Sequence, residues 1–283
     1  MASNLAQRVA IAALAIPAAG ALLWVGGWPL AAGLAALGVL GTHEVYGLAR
    51  RQGIEALDFL GWAAAAAIPL LAYGARAEPA LHAGALWLMW VLVVAMQRLG
   101  PTRRPLAAVA VTLFGALYAS GLLAFLLAIR HGPAPALAAG PLSSFLLALF
   151  PLAITWIGDT CAMAAGVSLG GPPLAPVLSP RKTRAGAVGG LAGAILTAVL
   201  AGVFVLNRAG GWNFTVWQLV VVGTVVGVVA QLGDVAESLL KREAGVKDSS
   251  TLIPGHGGVL DRLDSLYFVI PSVAILYRWF GVI

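Results

Sequence analysis

Nine apolar runs of about twenty residues follow one another with little between them, near 8–26, 29–49, 57–75, 80–97, 105–130, 141–160, 186–206, 216–236 and 263–281. A helix of about 20 residues is what it takes to cross a bilayer core about 30 Å thick. Inside that core every backbone N–H and C=O must be paired within the segment, and in runs of this length the helix does so. The chain is 60% hydrophobic and 10% charged, far from soluble composition, and its 35 glycines suit helices that approach closely. The prediction is an all-α, polytopic integral membrane protein with about nine transmembrane helices. Residues 8–26 read as a retained first span rather than a signal peptide.

Orientation follows from the basic residues. With the N-terminus cytoplasmic and nine alternating spans, Arg76, Arg130, Arg208 and Arg278 fall on the far side or at the far end of the last span. The remaining 13 of the 17 Lys and Arg residues then face the cytoplasm, the side that carries such an excess. The longer hydrophilic segments, 161–185 and 237–262, fall on the same face. The chain divides into N-terminal helices at 1–104 and a C-terminal region at 105–283 that carries both segments. The net charge of +6 is spread over segment ends without a basic, aromatic-interleaved patch, so no nucleic-acid partner is expected. A lone cysteine, Cys161, excludes an internal disulfide.

An ionised group at a bilayer centre costs roughly 2.5–3.5 kcal/mol. The stretch 234–264 nevertheless holds Asp234, Glu237, Lys241, Arg242, Lys247, Asp248, His256, Asp261, Arg262 and Asp264. A cluster of mixed sign belongs at a membrane face or in a wet cavity. A solvated loop with topogenic cations would explain the lysines and arginines, but it has no use for aspartates at this spacing. Asp234, Glu237, Ser238 and Lys241, at i, i+3, i+4 and i+7, share one helix face. Asp261 and Asp264, at i and i+3, would be presented together by one turn, and two such faces meeting would bring Asp234 to the pair. Carboxylate oxygens completed by water and substrate phosphate are what Mg²⁺ takes. The turn Pro254-Gly-His-Gly-Gly permits close backbone approach to an anion, and Lys241, Arg242, Lys247 and Arg262 can neutralise phosphate oxygens. Together these are the parts of metal-assisted phosphoryl or nucleotidyl transfer. Each part alone has a plainer reading: a solvated helix face for the aspartates, a turn residue for His256, a membrane anchor for a helix-end lysine.

Written out, Ser238 to Asp264 is Ser-x-x-Lys-Arg-x4-Lys-Asp-x5-Pro-Gly-His-Gly-Gly-x2-Asp-Arg-x-Asp. It closely resembles the signature of the phosphatidate cytidylyltransferases, the CDP-diacylglycerol synthases. A second stretch, Trp156 to Gly190, is similar to another region of that family through Asp159, Gly166, Gly170, Leu174-Ala-Pro, Ser179-Pro-Arg-Lys182-Thr183 and Gly186 to Gly190. The resemblance covers roughly 105–283. The first hundred residues match only as apolar spans, with Glu44 where the family tends to carry an acidic residue.

The resemblance implies a multi-pass enzyme of the inner, cytoplasmic membrane that condenses CTP with phosphatidate into CDP-diacylglycerol and pyrophosphate. It implies Mg²⁺ at two metal positions, the second of unassigned identity, held by Asp234, Asp261 and Asp264. Lys241 and Arg262 join those aspartates as catalytic residues. Substrate contacts fall to Asp159, Ser179, Lys182, Thr183, Arg242, Lys247, Asp248, His256, Gly257 and Gly258. Because a phosphatidate phosphate is ionised at neutral pH, His256 is assigned to turn geometry or phosphate hydrogen bonding. The expected partners are the two substrates and the bilayer. Gly-rich spans such as 186–202 leave open whether they pack within one chain or across a homodimer.

The second stretch departs from the family pattern. Met163 stands where Asp-x-x-Ala-Tyr would place a tyrosine, Val167 where a basic residue often follows glycine, Pro173 where relatives often carry lysine, and Ala185 in place of a glutamate. These changes bear on substrate affinity more than on reaction type. Two rival readings are a CTP-dependent transferase for another lipid phosphate and a secondary transporter. The acids lie at span ends on one face without an inverted repeat, which disfavours the transporter. The Asp-Gly-x2-Ala-Arg pattern of the CDP-alcohol phosphotransferases is absent.

Overall fold

The computed structural model describes residues 2–74, 77–132, 140–253, 255 and 257–283; Arg76, Pro254 and His256 lie outside the described residues. Helix occupies the apolar runs: α1 (Ala2–Val25), α2 (Gly27–Arg50), α3 (Asp58–Gly74), α4 (Ala77–Arg98), α5 (Pro105–Ala116) and α6 (Leu122–His131), then α7 (Pro141–Leu169), α8 (Arg184–Ala201), α9 (Val216–Glu243), the short α10 (Leu260–Leu263) and α11 (Leu266–Trp279). A π turn, Leu117–Gly121, joins α5 to α6, and a second, Gly202–Asn207, continues α8. Among the described residues, five helical stretches are long and apolar enough to cross a membrane: Glu78–Arg98, Pro105–His131, Pro141–Leu169, Arg184–Asn207 and Val216–Glu243. Ala13–Val25 and Asp58–Gly74 are shorter apolar helices.

Three local features differ from the sequence expectation. Helix α7 runs on to Leu169, because the stretch after Asp159 is Ala-rich and apolar until Gly170 and Gly171, both at positive φ, end it. The remainder of that hydrophilic segment is a hairpin, so the all-α class gains one small antiparallel sheet. Strands β1 (Pro173–Ala175) and β2 (Ser179–Thr183) pair Pro173 with Thr183 and Ala175 with Ser179. The helix expected from 263 is broken at Asp264 and Ser265, between α10 and α11.

The chain forms two compact units. The first comprises Met1–Leu127 with Leu240–Leu263, and the second Ala128–Leu239 with Asp264–Ile283. The first unit is organised around α2, which packs on α1, α3, α5 and the first π turn. Its tightest joint is Tyr46, whose ring lies against Gly61 of α3 and Gly115 of α5 where no side chain would fit. The Tyr46 hydroxyl donates to the Thr112 carbonyl at 2.8 Å, and the Thr42 hydroxyl to the Gly115 carbonyl at 3.1 Å. The Ser120 hydroxyl of the π turn donates to the Ala65 carbonyl at 2.6 Å. A π turn leaves backbone carbonyls displaced from the helical ladder, and side-chain donors of this kind hold such irregular backbone inside an apolar bundle. On α4, by contrast, Leu81, Leu86, Met89, Trp90 and Met96 are exposed, as a lipid-facing surface requires.

The second unit rests on a stripe of small residues. Gly158, Ala162 and Gly166 recur every four residues along α7, and Gly186, Gly190 and Ala194 do the same along α8. A Cβ on Gly190 would come within 2.9 Å of the Ala162 Cβ, and one on Gly186 within 2.9 Å of the Ala162 carbonyl. The stripe continues to α9, where a Cβ on Gly223 would sit 2.7 Å from the Ile195 Cα. Without a hydrophobic force between helices in lipid, close backbone approach of this kind supplies the packing attraction.

Candidate active site

In the second unit the hairpin and two helices assemble the first cluster. Thr183 ends β2 and caps α8, its hydroxyl accepting from the Gly186 amide at 3.0 Å. Such a cap is worth about 1 kcal/mol, and it fixes Lys182 one residue earlier. Lys182 forms an ion pair with Asp234 of α9. Asp159 of α7 lies within the field of both Lys182 and Asp234. A cleft among α7, α8 and α9 is lined by Thr155, Gly158, Asp159, Gly190 and Gln231. Gln231 donates to the Ala187 carbonyl at 3.1 Å and the Gly227 carbonyl at 2.8 Å, fixing α9 against α8 beside that cleft. Ser179 opens β2, half-buried opposite Ala175. Met163, Val167 and Pro173 are all exposed here.

In the first unit the signature folds back on itself. Lys241, 8% exposed, reaches Asp261 across twenty residues of sequence, Nζ to Oδ1 at 2.6 Å. The other carboxylate oxygen, Oδ2, accepts from the Ser249 amide at 2.8 Å, the Ser249 hydroxyl at 2.9 Å and the Gly258 amide at 2.8 Å. Burial alone would raise the Asp261 carboxyl. The Gly258 amide, Lys241 and the Ser249 amide outweigh it and hold the group below the usual carboxylate range. A buried ion pair is stable when its remaining lone pairs are filled in this way.

Glu44 completes the same loop from α2. It is 3% exposed, and its carboxylate accepts from the Ser250 hydroxyl at 2.7 Å, the Ser249 hydroxyl at 2.8 Å and the Val259 and Leu260 amides, both at 2.9 Å. The glycine pair of the signature makes room for these groups. A Cβ on Gly257 would lie 2.5 Å from Asp261 Oδ2, and one on Gly258 would overlap the Ser249 hydroxyl and the Glu44 carboxylate. Gly257 also sits at φ 80°, a conformation glycine adopts freely. The anions that approach the backbone of this turn are therefore the chain's own carboxylates, which take the Gly258, Val259 and Leu260 amides.

The other expected site residues are more open. Arg242, Lys247, Asp248 and Arg262 are exposed, with Arg242 donating to the Val246 carbonyl at 2.9 Å. Asp264 Oδ1 accepts from the adjacent Ser265 amide at 2.6 Å. Asp234, Glu237, Ser238 and Lys241 do share helix α9, and Glu237 is fully buried. Sequence reasoning gave Glu44 no role in the site. The signal was a carboxylate inside an apolar run, where an ionisable residue calls for a partner.

Hard carboxylate oxygens are the right donors for a divalent cation of the Mg²⁺ type. Among the described residues no three His, Cys, Asp or Glu side chains cluster as a metal cage. Mg²⁺ does not need one, since it is usually held by one or two carboxylates with water and substrate phosphate. The Asp159–Asp234 neighbourhood, in which a lysine ammonium already balances the charge, fits that requirement.

The chain is similar to phosphatidate cytidylyltransferases of several bacteria. A phosphatidate cytidylyltransferase of Brucella suis biovar 1 is 41% identical over 167 residues, which is 59% of this chain and 56% of the relative's own length. One from Synechocystis sp. is 32% identical over 292 residues, covering 94% of each chain. One from Staphylococcus epidermidis is 43% identical over 128 residues, 45% of this chain and 47% of the relative. Long apolar helices and bacterial relatives together describe a multi-pass membrane protein. The model of the Cytidylyltransferase family matches residues 6–280, and the chain belongs to that family.

Proposed function

We propose that this chain is a phosphatidate cytidylyltransferase, working at the cytoplasmic face of the inner membrane with nine spans and a cytoplasmic N-terminus. A phosphate oxygen of phosphatidate attacks the α-phosphorus of CTP, the bond from that phosphorus to the β-phosphate oxygen breaks, and pyrophosphate leaves. The attacking oxygen is already ionised, so the step needs no strong base from the protein. What it needs is cancellation of repulsion between two anions. Lys182, on the hairpin, is freed to meet phosphate oxygens when a cation or the nucleotide takes its place at Asp234. Arg242, Lys247 and Arg262 are exposed cations suited to the outer phosphates. Lys241, buried against Asp261, keeps the loop in shape rather than roaming for ligand.

Asp234, with Asp159 beside it, is the first candidate to hold Mg²⁺. Asp261 and Asp264 are candidate oxygen donors of the signature in their own right, and Asp261 already accepts from Lys241, Ser249 and Gly258. When bound, the ion neutralises triphosphate charge and favours departure of pyrophosphate. The observation that carries this reading is the Lys241–Asp261 pair, which closes the signature into one prearranged cluster. The exposed departures at Met163, Val167 and Pro173 bear on the rim, where nucleotide affinity is set. Purified protein in detergent, given CTP, phosphatidate and Mg²⁺, is expected to release CDP-diacylglycerol and pyrophosphate in equal amounts. No product under those conditions would defeat the reading.

A further inference from the structure

We propose that Glu44 is a positioning residue for the reaction, a buried clamp on α2 that sets the signature loop through Ser249; this rests on the cytidylyltransferase reading. Among the described residues, no cation pairs with Glu44 in the hydrogen bonds it makes. Its four donors are two hydroxyls and two amides, and all belong to the loop and the start of α10. They come from both ends of the segment 249–260, so one side chain ties together a loop that would otherwise have to close by itself. Closing and fixing such a loop costs entropy, and a carboxylate accepting several hydrogen bonds in a buried place is strong enough to offset it.

The link to the reacting cluster is the Ser249 hydroxyl. It stands 2.8 Å from Glu44 and 2.9 Å from Asp261 Oδ2. A hydroxyl has one hydrogen, so the two carboxylates share it, and whatever displaces one re-aims the contact to the other. Asp261 in turn holds Lys241. Glu44 thus acts on the cluster at second hand, from a position about 200 residues away in the sequence.

Replacement by glutamine makes the clamp testable. An amide side chain has one accepting oxygen, and its NH₂ group must face either the Val259 side or the Leu260 side. Hydroxyls can rotate to accept from that NH₂, but a backbone amide cannot, so one buried N–H is left opposed. The expected result of Glu44→Gln is a kcat about tenfold lower, with the KM for CTP and for phosphatidate within about threefold of wild type. Hydrogen exchange of the peptide covering Val259 and Leu260 should quicken, while peptides from α7 keep wild-type exchange. Tyr46→Phe, which removes an equally buried hydrogen bond on the same helix, should lower the Tm and leave kcat alone.

A kcat within about twofold of wild type or unchanged exchange in that peptide would overturn the proposal. So would an equal loss of kcat in Tyr46→Phe, which would make Glu44 one more structural contact. Should Glu44→Gln fail to fold, Ser249→Ala carries the test, because it removes only the shared hydroxyl. Its kcat should fall about fivefold, and wild-type turnover there would equally overturn the clamp. A wild-type protein that made no CDP-diacylglycerol would defeat the assigned reaction instead, and the exchange measurement on Glu44→Gln would still decide the clamp.

Discussion

Asp261 is the residue on which most of the first-unit cluster depends. It accepts from Lys241, from the Ser249 amide and hydroxyl, and from the Gly258 amide. Asparagine keeps the volume and loses one accepting oxygen along with the charge that balances Lys241. Breaking one partner out of a buried pair leaves the other uncompensated, a cost of about 3–5 kcal/mol. Asp261→Asn is therefore expected to lower turnover by at least about a hundredfold, read as CDP-diacylglycerol formed per folded protein at saturating Mg²⁺. Retention of more than about a tenth of wild-type turnover would mean that this carboxylate organises nothing essential. That Asp261 belongs to a charged cluster was legible from spacing, since the Lys-Arg to Asp-Arg run stands out of the apolar background. Its partners were less so. Nothing in the spacing shows that the Gly257-Gly258 pair exists to admit two carboxylates, because the second of them, Glu44, lies far away in the sequence on α2.

At the scale of elements, each apolar run contains a helix, because in lipid a run of that length has few other ways to pair its backbone. Their ends were harder. Helix α7 continues past the predicted stop since Ala and Met extend a helix as readily as an apolar span does, and the hairpin after it hides behind Gly-Gly-Pro-Pro. The helical contact stripe is testable. Gly190→Leu puts a branched side chain against Ala162 and the Gly158 carbonyl, which a Cβ alone would meet at 2.9 and 3.3 Å. Leucine gains about 1 kcal/mol of helix propensity over glycine, but overpacking against backbone costs about 1–3 kcal/mol. Gly190→Leu should lower the Tm in detergent, whereas Gly84→Leu on α4, with open space around it, should leave it unchanged or raise it. Equal behaviour of the two would remove the stripe as a packing element. On the rim of the same unit, Met163→Tyr combined with Pro173→Lys should lower the KM for CTP and change kcat little, the pattern of uniform binding. An unchanged KM in the folded double variant would show that those positions do not touch the nucleotide.

For the whole molecule, the proposed reaction requires a nucleotide from the cytoplasm and a lipid from the bilayer to meet at one membrane face. The proposed nine-span topology, argued from the basic residues, puts 161–185 and 237–262 on the cytoplasmic side. Cysteine probes on a Cys161→Ser background test that placement. Val177 and Lys247 suit the purpose because both are exposed, whereas Ser249 is engaged by Glu44 and Asp261. An impermeant thiol reagent should label neither probe in intact cells and both after the membrane is opened. Labelling of either one in intact cells would contradict the topology.

The reaction itself is tested most directly by following the phosphorus atoms of CTP. CTP carrying its label at the α-phosphate should pass that label into a lipid product that also depends on added phosphatidate. CTP labelled at the γ-phosphate should release all of its label as pyrophosphate and none into lipid. Label from the γ-position in the lipid would mean a kinase-type transfer, and label from neither position in the lipid would contradict cytidylyl transfer to a lipid.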